Sequence, residues 1–285
     1  MRTIAETSAM QAWSREVRER HHGRVALVPT LGAIHAGHLS LVEIARRHAD
    51  RVVVSVFVNP TQFDRGDDFA RYPRDLERDG ALLAAAGVDV LFAPDAAEIY
   101  PPAAQTFVTV ERLAEPLCGA RRPGHFRGVA TVVLVLFTIV RPHVAVFGEK
   151  DYQQLALIRR MAADLHLDLD IVGAPIVREP DGLAMSSRNR HLSADERQAA
   201  RCLVRALGAA EVLADAGERD PAALVTAATA EISREPLARV DYVALVVPET
   251  LAPLPVLEER GLLALAVRVG GVRLIDNRML ERRSA

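Results

Sequence analysis

Lysine is almost missing from this chain: Lys150 stands alone among 35 lysines and arginines in 285 residues. Arginine supplies charge on a rigid fork, whereas lysine is a compact point charge on a slender stem. Lys150 sits in F-G-E-K-D directly after an apolar run, so it is expected to be functional; the plain alternative is that one lysine survived by chance. Cysteine is scarce as well. Cys118 and Cys202 are far apart, which suggests no disulfide framework, and neither has metal-ligand spacing. Charge of one sign is not in excess. A net charge of −2 gives no basic field, so no nucleic-acid partner is expected. Long apolar runs are missing too: Val129 to Val140 is broken by Thr131 and Thr138 and falls short of a membrane span. Met1 to Arg20 carries Glu6, Glu16 and Glu19 and no apolar core segment, so no signal peptide and no membrane association are expected, and the location expected is cytoplasmic. The one tryptophan, Trp13, reads as packing.

What is present supports a large core. Half of the residues are hydrophobic and a quarter charged, enough for one large domain or two ordinary ones, without disorder. The chain is organised around V-A-L-V-P-T-L-G-A-I-H-A-G-H-L-S-L-V-E, residues 25–43. The apolar run Val25 to Val28 stops at Pro29, Gly32 and Gly37 permit a tight path, and the apolar residues after His38 suit a buried helix face. Strand, turn and helix follow one another, with His35 and His38 at the helix start. Amides without intrahelical partners and the positive end of the helix dipole make that place suited to phosphate. A metal pair is the alternative, but zinc would want a third ligand that the cysteines do not offer.

Other segments extend the pattern. Thr3 to Glu19 has helical character, and Arg24 to Val28 is expected as the first strand. Arg51 to Val58 is a nearly continuous apolar run, as in a parallel strand covered on both faces. Asn59 and Pro60 break it and deliver Gln62 at its carboxyl end, where ligands bind in open α/β sheets; a solvent-facing loop glutamine is the alternative. Asp64 to Arg74 is polar enough for a flap or a dimer contact. Asp75 to Ala86 is a helix closed by Gly87, Val88 to Phe92 a strand, and Thr106 to Val110 an edge strand. Cys118 to Gly128 is a basic loop with His125, equally consistent with contact to an anionic substrate and with a solvated loop. Gly128 to Val140 fits a buried helix by its length. Val144 to Phe147 is a strand leading to Gly148-Glu149-Lys150-Asp151, Asp151 to Leu165 a helix with Gln154 on its first turn, and Asp168 to Val177 the last strand of the series. Alternation of this length implies a doubly wound parallel sheet, which alone fixes no function.

Ser186, Ser187 and Arg188 follow the turn Pro180-Asp181-Gly182 and suit the outer phosphates of a triphosphate; a polar linker is the alternative. Ser193 and Glu196 form a capping box opening a helix to about Ala216. Beyond lies alanine-rich helix with a buried Cys202, then strands at Arg239 to Val247, Leu262 to Val269 and Val272 to Ile275, the last two joined at Gly270-Gly271. The fold class is α/β: a doubly wound, Rossmann-like nucleotidyltransferase domain over residues 1–176, and a smaller α+β domain over 177–285 that closes over the site.

The ordered motifs P-T-L-G-A-I-H-A-G-H, F-V-N-P-T-Q-F, F-G-E-K-D-Y-Q-Q-L and D-G-L-A-M-S-S-R-N-R resemble those of the pantothenate synthetases, most strongly over residues 25–191. The first and last also resemble the two phosphate-facing signatures of class I aminoacyl-tRNA synthetases. The resemblance implies joining pantoate to β-alanine while ATP is cleaved to AMP and pyrophosphate, with Mg2+ assisting, in a homodimer. It implies His38 as proton donor, His35 sharing the α-phosphate, and Lys150 and Arg188 acting on the phosphates. Leu31, Gly32, Ala33, Ile34, His35, Ala36, Gly37 and His38 would line the ATP site. Gly148, Glu149, Lys150 and Asp151 would reach ribose and phosphates, Val177 adenine, and Met185, Ser186, Ser187 and Arg188 would close over the phosphates. Gln62, Gln154 and Asn59 would hold pantoate or β-alanine, and Asp79 is a magnesium partner in this reading, beside phosphate oxygens and water. Two departures stand out. Leu31 replaces a common methionine, a nearly volume-conserving change, and Val135 replaces a frequent lysine. The main rival is a nucleotidyltransferase acting on a phosphorylated small molecule; an RNA-binding synthetase-like protein is disfavoured by the charge.

Overall fold

The structure is a computed structural model, and it describes residues 1–63, 69–70 and 72–282. The segment expected as a flap or dimer contact, Asp64 to Arg74, thus lies largely outside the described residues. Six parallel strands form the first sheet in the order β1-β4-β3-β2-β5-β6: β1 (Arg2–Ile4), β2 (Val25–Thr30), β3 (Arg51–Val56), β4 (Val90–Phe92), β5 (Val144–Gly148) and β6 (Asp170–Ala174). Strand alternation explains the two covered faces. Val25 and Leu27 point into one cluster with Val53, Phe92 and Phe126, while Ala26 and Val28 point into another with Val52, Val54, Leu41 and Leu83. Helices α1 (Thr7–Arg15), α4 (His125–Val140) and α5 (Tyr152–Asp164) cover the first face, and α2 (Ala36–His48) and α3 (Leu76–Ala85) the second. The sheet is doubly wound, as the alternation predicts.

Several local expectations are corrected. The first strand is Arg2–Ile4, not Arg24 to Val28. It holds three residues with only Ile4 buried, too short to carry a period. The strand after it runs through Pro29 to Thr30. Pro29 is tolerated because β2 pairs with β3 along its length but with β5 only at Ala26 and Leu27; beyond Leu27 no ladder bond on the β5 side is lost. Thr106 to Val110 is not a strand: Val108 N donates to Thr131 Oγ1 at 2.9 Å, which lays the segment across α4. The helix opened by Ser193 divides into α6 (Ala194–Ala200) and α7 (Cys202–Asp215), because Arg201 makes one tight turn to the Gln198 carbonyl. Its capping box is formed as the spacing predicts.

The second sheet is antiparallel, in the order β7 (Ala238–Val246), β8 (Arg260–Val269), β9 (Val272–Glu281). Its hairpin turns at Gly270, which has φ +54°. Leu263, Leu265 and Val267 bury one face against α7 and α8 (Pro221–Ser233), with Cys202 fully buried among them. The other face, including Leu262 and Ala264, packs on Leu113. Among the described residues no helix is long and apolar enough to cross a membrane.

Candidate active site

β2 and β5 are neighbours in the sheet though far apart in the chain, so the strand order reverses between them. Ligands of open α/β sheets bind at such a switch point, beyond the carboxyl ends of the strands. Here the two strands part after Leu27 and Ala145. A cleft of about 240 Å3 opens there. The turns that follow both strands reach it, which is why sequence segments more than a hundred residues apart converge.

The turn after β2 is held by polar groups rather than by its own ladder. Gly32 and Ala33 both have positive φ, +86° and +53°, and a side chain at Gly32 would meet Val56 and the Asp79 carboxylate. Thr30 Oγ1 donates to the Ser55 carbonyl at 2.8 Å and accepts from Gly32 N at 3.1 Å. Asp79, 1% exposed on α3, accepts from Ala33 N and from Ile34 N, each at 2.8 Å. Each carboxylate oxygen thus takes one backbone amide of the turn, and Asp79 is not among the residues lining the cleft. Gly32, Ala33, Ile34 and Ala36 form this turn without lining the cleft, whereas Leu31, His35, Gly37 and His38 do line it.

His35 caps α2 with extended backbone and no side-chain cap bond. Gly37 N, one of the amides exposed at the helix start, donates to Met185 Sδ at 3.0 Å. The His35 and His38 rings stack on one another, and both Nδ1 atoms are buried without a partner. Burial lowers the pKa of His35 to about 4, with Lys150 and Arg190 adding to the effect. Burial likewise lowers His38 to about 3, helped by His35 and Lys150. Both imidazoles are therefore neutral at pH 7.

Across the cleft, Gly148, Lys150, Asp151 and Gln154 line the wall from β5 to the first turn of α5. Lys150 Nζ lies 3.7 Å from Asp151 Oδ2. Glu149 turns away from the cleft, its carboxylate lying towards Gly173. Val177, Met185, Ser186, Ser187 and Arg188 form the third side, where Ser186 caps a short turn by accepting from Arg188 N.

Gln62 lines the cleft as expected, and the structure shows what holds it. Asn59, fully buried, donates to Gln62 Oε1 at 3.0 Å and to the Gly128 carbonyl at 3.2 Å. Its own oxygen accepts from Thr61 and from the Tyr100 hydroxyl. Asn59 thus positions Gln62 while lining the cleft beside it. Arg122 Nη2 and His125 Nδ1 both donate to the Gln62 carbonyl, at 2.9 and 2.8 Å. The carbonyl only accepts, so His125 carries its proton on Nδ1. The basic loop therefore belongs to the site. Tyr72, buried and hydrogen-bonded to Ser187, also lines the cleft, its hydroxyl pKa raised by burial. Nothing in its local sequence marks it. The apolar floor comes from Val129, Val132, Val133 and Leu136 of α4, while Val135 packs into the core.

A carboxylate-sized substrate beside Gln62 and Gln154 and a nucleotide along His35, His38 and Lys150 would meet within this one cleft. Known proteins resemble this chain over its whole length. A solved pantothenate synthetase from Thermus thermophilus superposes with a TM-score of 0.93 at 49% identity, covering 99% of this chain and 100% of that one. A pantoate-beta-alanine ligase from Francisella tularensis, solved with beta-gamma ATP and beta-alanine, gives a TM-score of 0.80 at 33% identity, covering 100% and 99%. The pantothenate synthetase of Heliobacterium modesticaldum is 58% identical over 99% of this chain and 100% of its own length. The family model described as pantoate-beta-alanine ligase matches residues 2–279, and the chain belongs to that family.

Proposed function

We propose that this protein condenses pantoate with β-alanine, cleaving ATP to AMP and pyrophosphate through a bound pantoyl adenylate. The observation that carries this reading is the convergence of His35, His38, Lys150 and Arg188 with Gln62 and Gln154 on one cleft at the switch point. A carboxylate is a poor acyl donor. Its oxygen attacks the α-phosphorus, and the bond to pyrophosphate breaks with the electron pair leaving on pyrophosphate. The amine of β-alanine then attacks the acyl carbon, loses a proton, and AMP departs with the electrons of the acyl C–O bond. The protein's part is positioning and charge neutralisation.

Roles follow from chemistry and placement. The neutral rings of His35 and His38 each offer one N–H donor to the α-phosphate, at the positive end of the α2 dipole. Lys150 and Arg188 offset charge on the phosphates, Ser186 and Ser187 offer hydroxyls, and Asp151 accepts from the ribose hydroxyls. Gln62 and Gln154 hold pantoate. Among the described residues no group of three His, Cys, Asp or Glu is arranged to hold a metal ion. Mg2+ would be held largely by phosphate oxygens and water, offsetting charge there. The division into residues 1–176 and 177–285 belongs to this reading, supported by separate cores on the two sheets. So do a homodimer, testable by sedimentation velocity, and a cytoplasmic location.

The test is pyrophosphate release from ATP and Mg2+, with pantoate and β-alanine each added or omitted. Sustained release needing both acids, with pantothenate formed, is the expected result, and Lys150→Arg should lose most turnover because a planar fork replaces a point charge. Release independent of pantoate would overturn the reading and favour a phosphorylated acceptor.

A further inference from the structure

The two cleft walls that face the phosphates come from consecutive motifs, at Lys150 and at Ser186 to Arg188, and one dipeptide of the second sheet touches both. Asn277, 7% exposed on β9, donates from Nδ2 to the carbonyl of Glu149 at 2.9 Å and to that of Lys150 at 3.0 Å. Its neighbour Asp276, 2% exposed, takes Arg178 in a bidentate pair at 2.7 and 3.1 Å. Arg178 also donates to the Gly182 carbonyl and forms a bridge with Ala184, so it shapes the start of the segment carrying Met185 to Arg188. The Asp276 carboxylate in turn accepts from the Asn277 backbone amide at 2.8 Å, which fixes the carboxylate against β9.

We propose that Asp276 and Asn277 are positioning residues that hold the Lys150 turn and the Ser186–Arg188 segment at a fixed spacing for the phosphates. Neither acts on substrate. Successive residues of a strand face opposite ways, so the pair reaches both walls from one point on β9. Asn277 serves the Lys150 turn through main-chain carbonyls, which fixes the origin of the Lys150 side chain without engaging its ammonium. Asp276 serves the other wall through a buried, charge-assisted pair, the geometry in which bidentate arginine is most specific. The inference rests on the reading above for what the cleft binds. It names residues that lie outside every motif by which the site was found.

The experiment is direct binding of a non-hydrolysable ATP analogue with Mg2+ by calorimetry, with Asn277→Ala made alone and on a Lys150→Ala background. Two lost hydrogen bonds should weaken nucleotide binding about tenfold or more in the otherwise wild-type chain. If Asn277 acts through Lys150, the same change should matter by less than about twofold where Lys150 is already gone. The KM for pantoate should stay within about twofold of wild type, splitting the effect from a general loss of folded enzyme. Equal weakening on both backgrounds, or a lowered melting temperature with unchanged nucleotide affinity, would overturn the proposal. Should Asn277→Ala fail to fold, the isosteric Asn277→Asp decides it: a carboxylate facing two carbonyls must weaken the nucleotide at least as much. Binding is read without turnover, so a wild-type chain that binds ATP but forms no pantothenate would fail the functional reading and leave this one decided.

Discussion

The His35 and His38 rings stack with centroids 4.0 Å apart and an interplanar angle of 20°. Two imidazoles so placed, buried and beside Lys150, resist protonation, His35 down to about pH 4 and His38 to about pH 3. The unfolded chain takes up these protons near the ordinary value of 6.5, and the native state does not. Stability contributed by the neutral pair is therefore full above pH 6.5 and falls as pH drops towards 4 and 3. Urea unfolding of the wild type and of His38→Gln, followed from neutral pH down to about pH 4, checks this. The variant is expected to lose less stability across the range; parallel curves would show that His38 titrates as it does in the unfolded chain.

Asp79 anchors the turn that delivers His35. Asp79→Asn retains one acceptor and sets an amide N–H against a backbone N–H, at a cost of about 1–3 kcal/mol. A fall of at least about tenfold in kcat/KM for ATP is expected, since misplacement of this scale is amplified in the reaction. The concentration of Mg2+ needed for half-maximal rate should not move. A rise in that concentration would assign Asp79 to the metal.

Gly128 lies where α4 passes the turn bearing Gln62. A Cβ there would stand 2.4 Å from the Thr61 carbonyl oxygen and 2.9 Å from Gln62 N, both backbone atoms that cannot swing aside. Gly128→Ala should destabilise the fold by about 1–3 kcal/mol, seen as a lower melting temperature. It should also raise the KM for pantoate, because Gln62 moves with its turn. A lower melting temperature with an unchanged pantoate KM would take Gln62 out of the substrate site.

The strands and helices that carry the site were legible because their signals are local. Apolar runs at Val25 to Val28 and Arg51 to Val58, glycines at the turns and the Ser193–Glu196 capping box each act within a few residues. The four motifs likewise marked His38, Lys150, Gln62 and Arg188 without reference to one another. The basic loop at Cys118 to Gly128 fits either substrate contact or solvent by its sequence; the fold sets Arg122 and His125 against the Gln62 carbonyl at the cleft. β1 leaves no signal in the sequence because three residues carry no period, and Pro29 signals a stop because a strand's neighbours are not written in its own sequence.

Asp79 and Asn59 show where local reading ends. A carboxylate and an amide near a nucleotide site have the chemistry of ligands, and the sequence by itself determined that such groups were present. Only the tertiary structure decided that Asp79 faces the Ala33 and Ile34 amides and that Asn59 serves Gln62. The same holds for Asn277, whose partners Glu149 and Lys150 lie more than 120 residues earlier. Chemistry resides in residue type, which the chain carries openly; the direction in which a buried polar group spends its hydrogen bonds depends on what folding brings opposite it, because an unpaired one costs too much to keep.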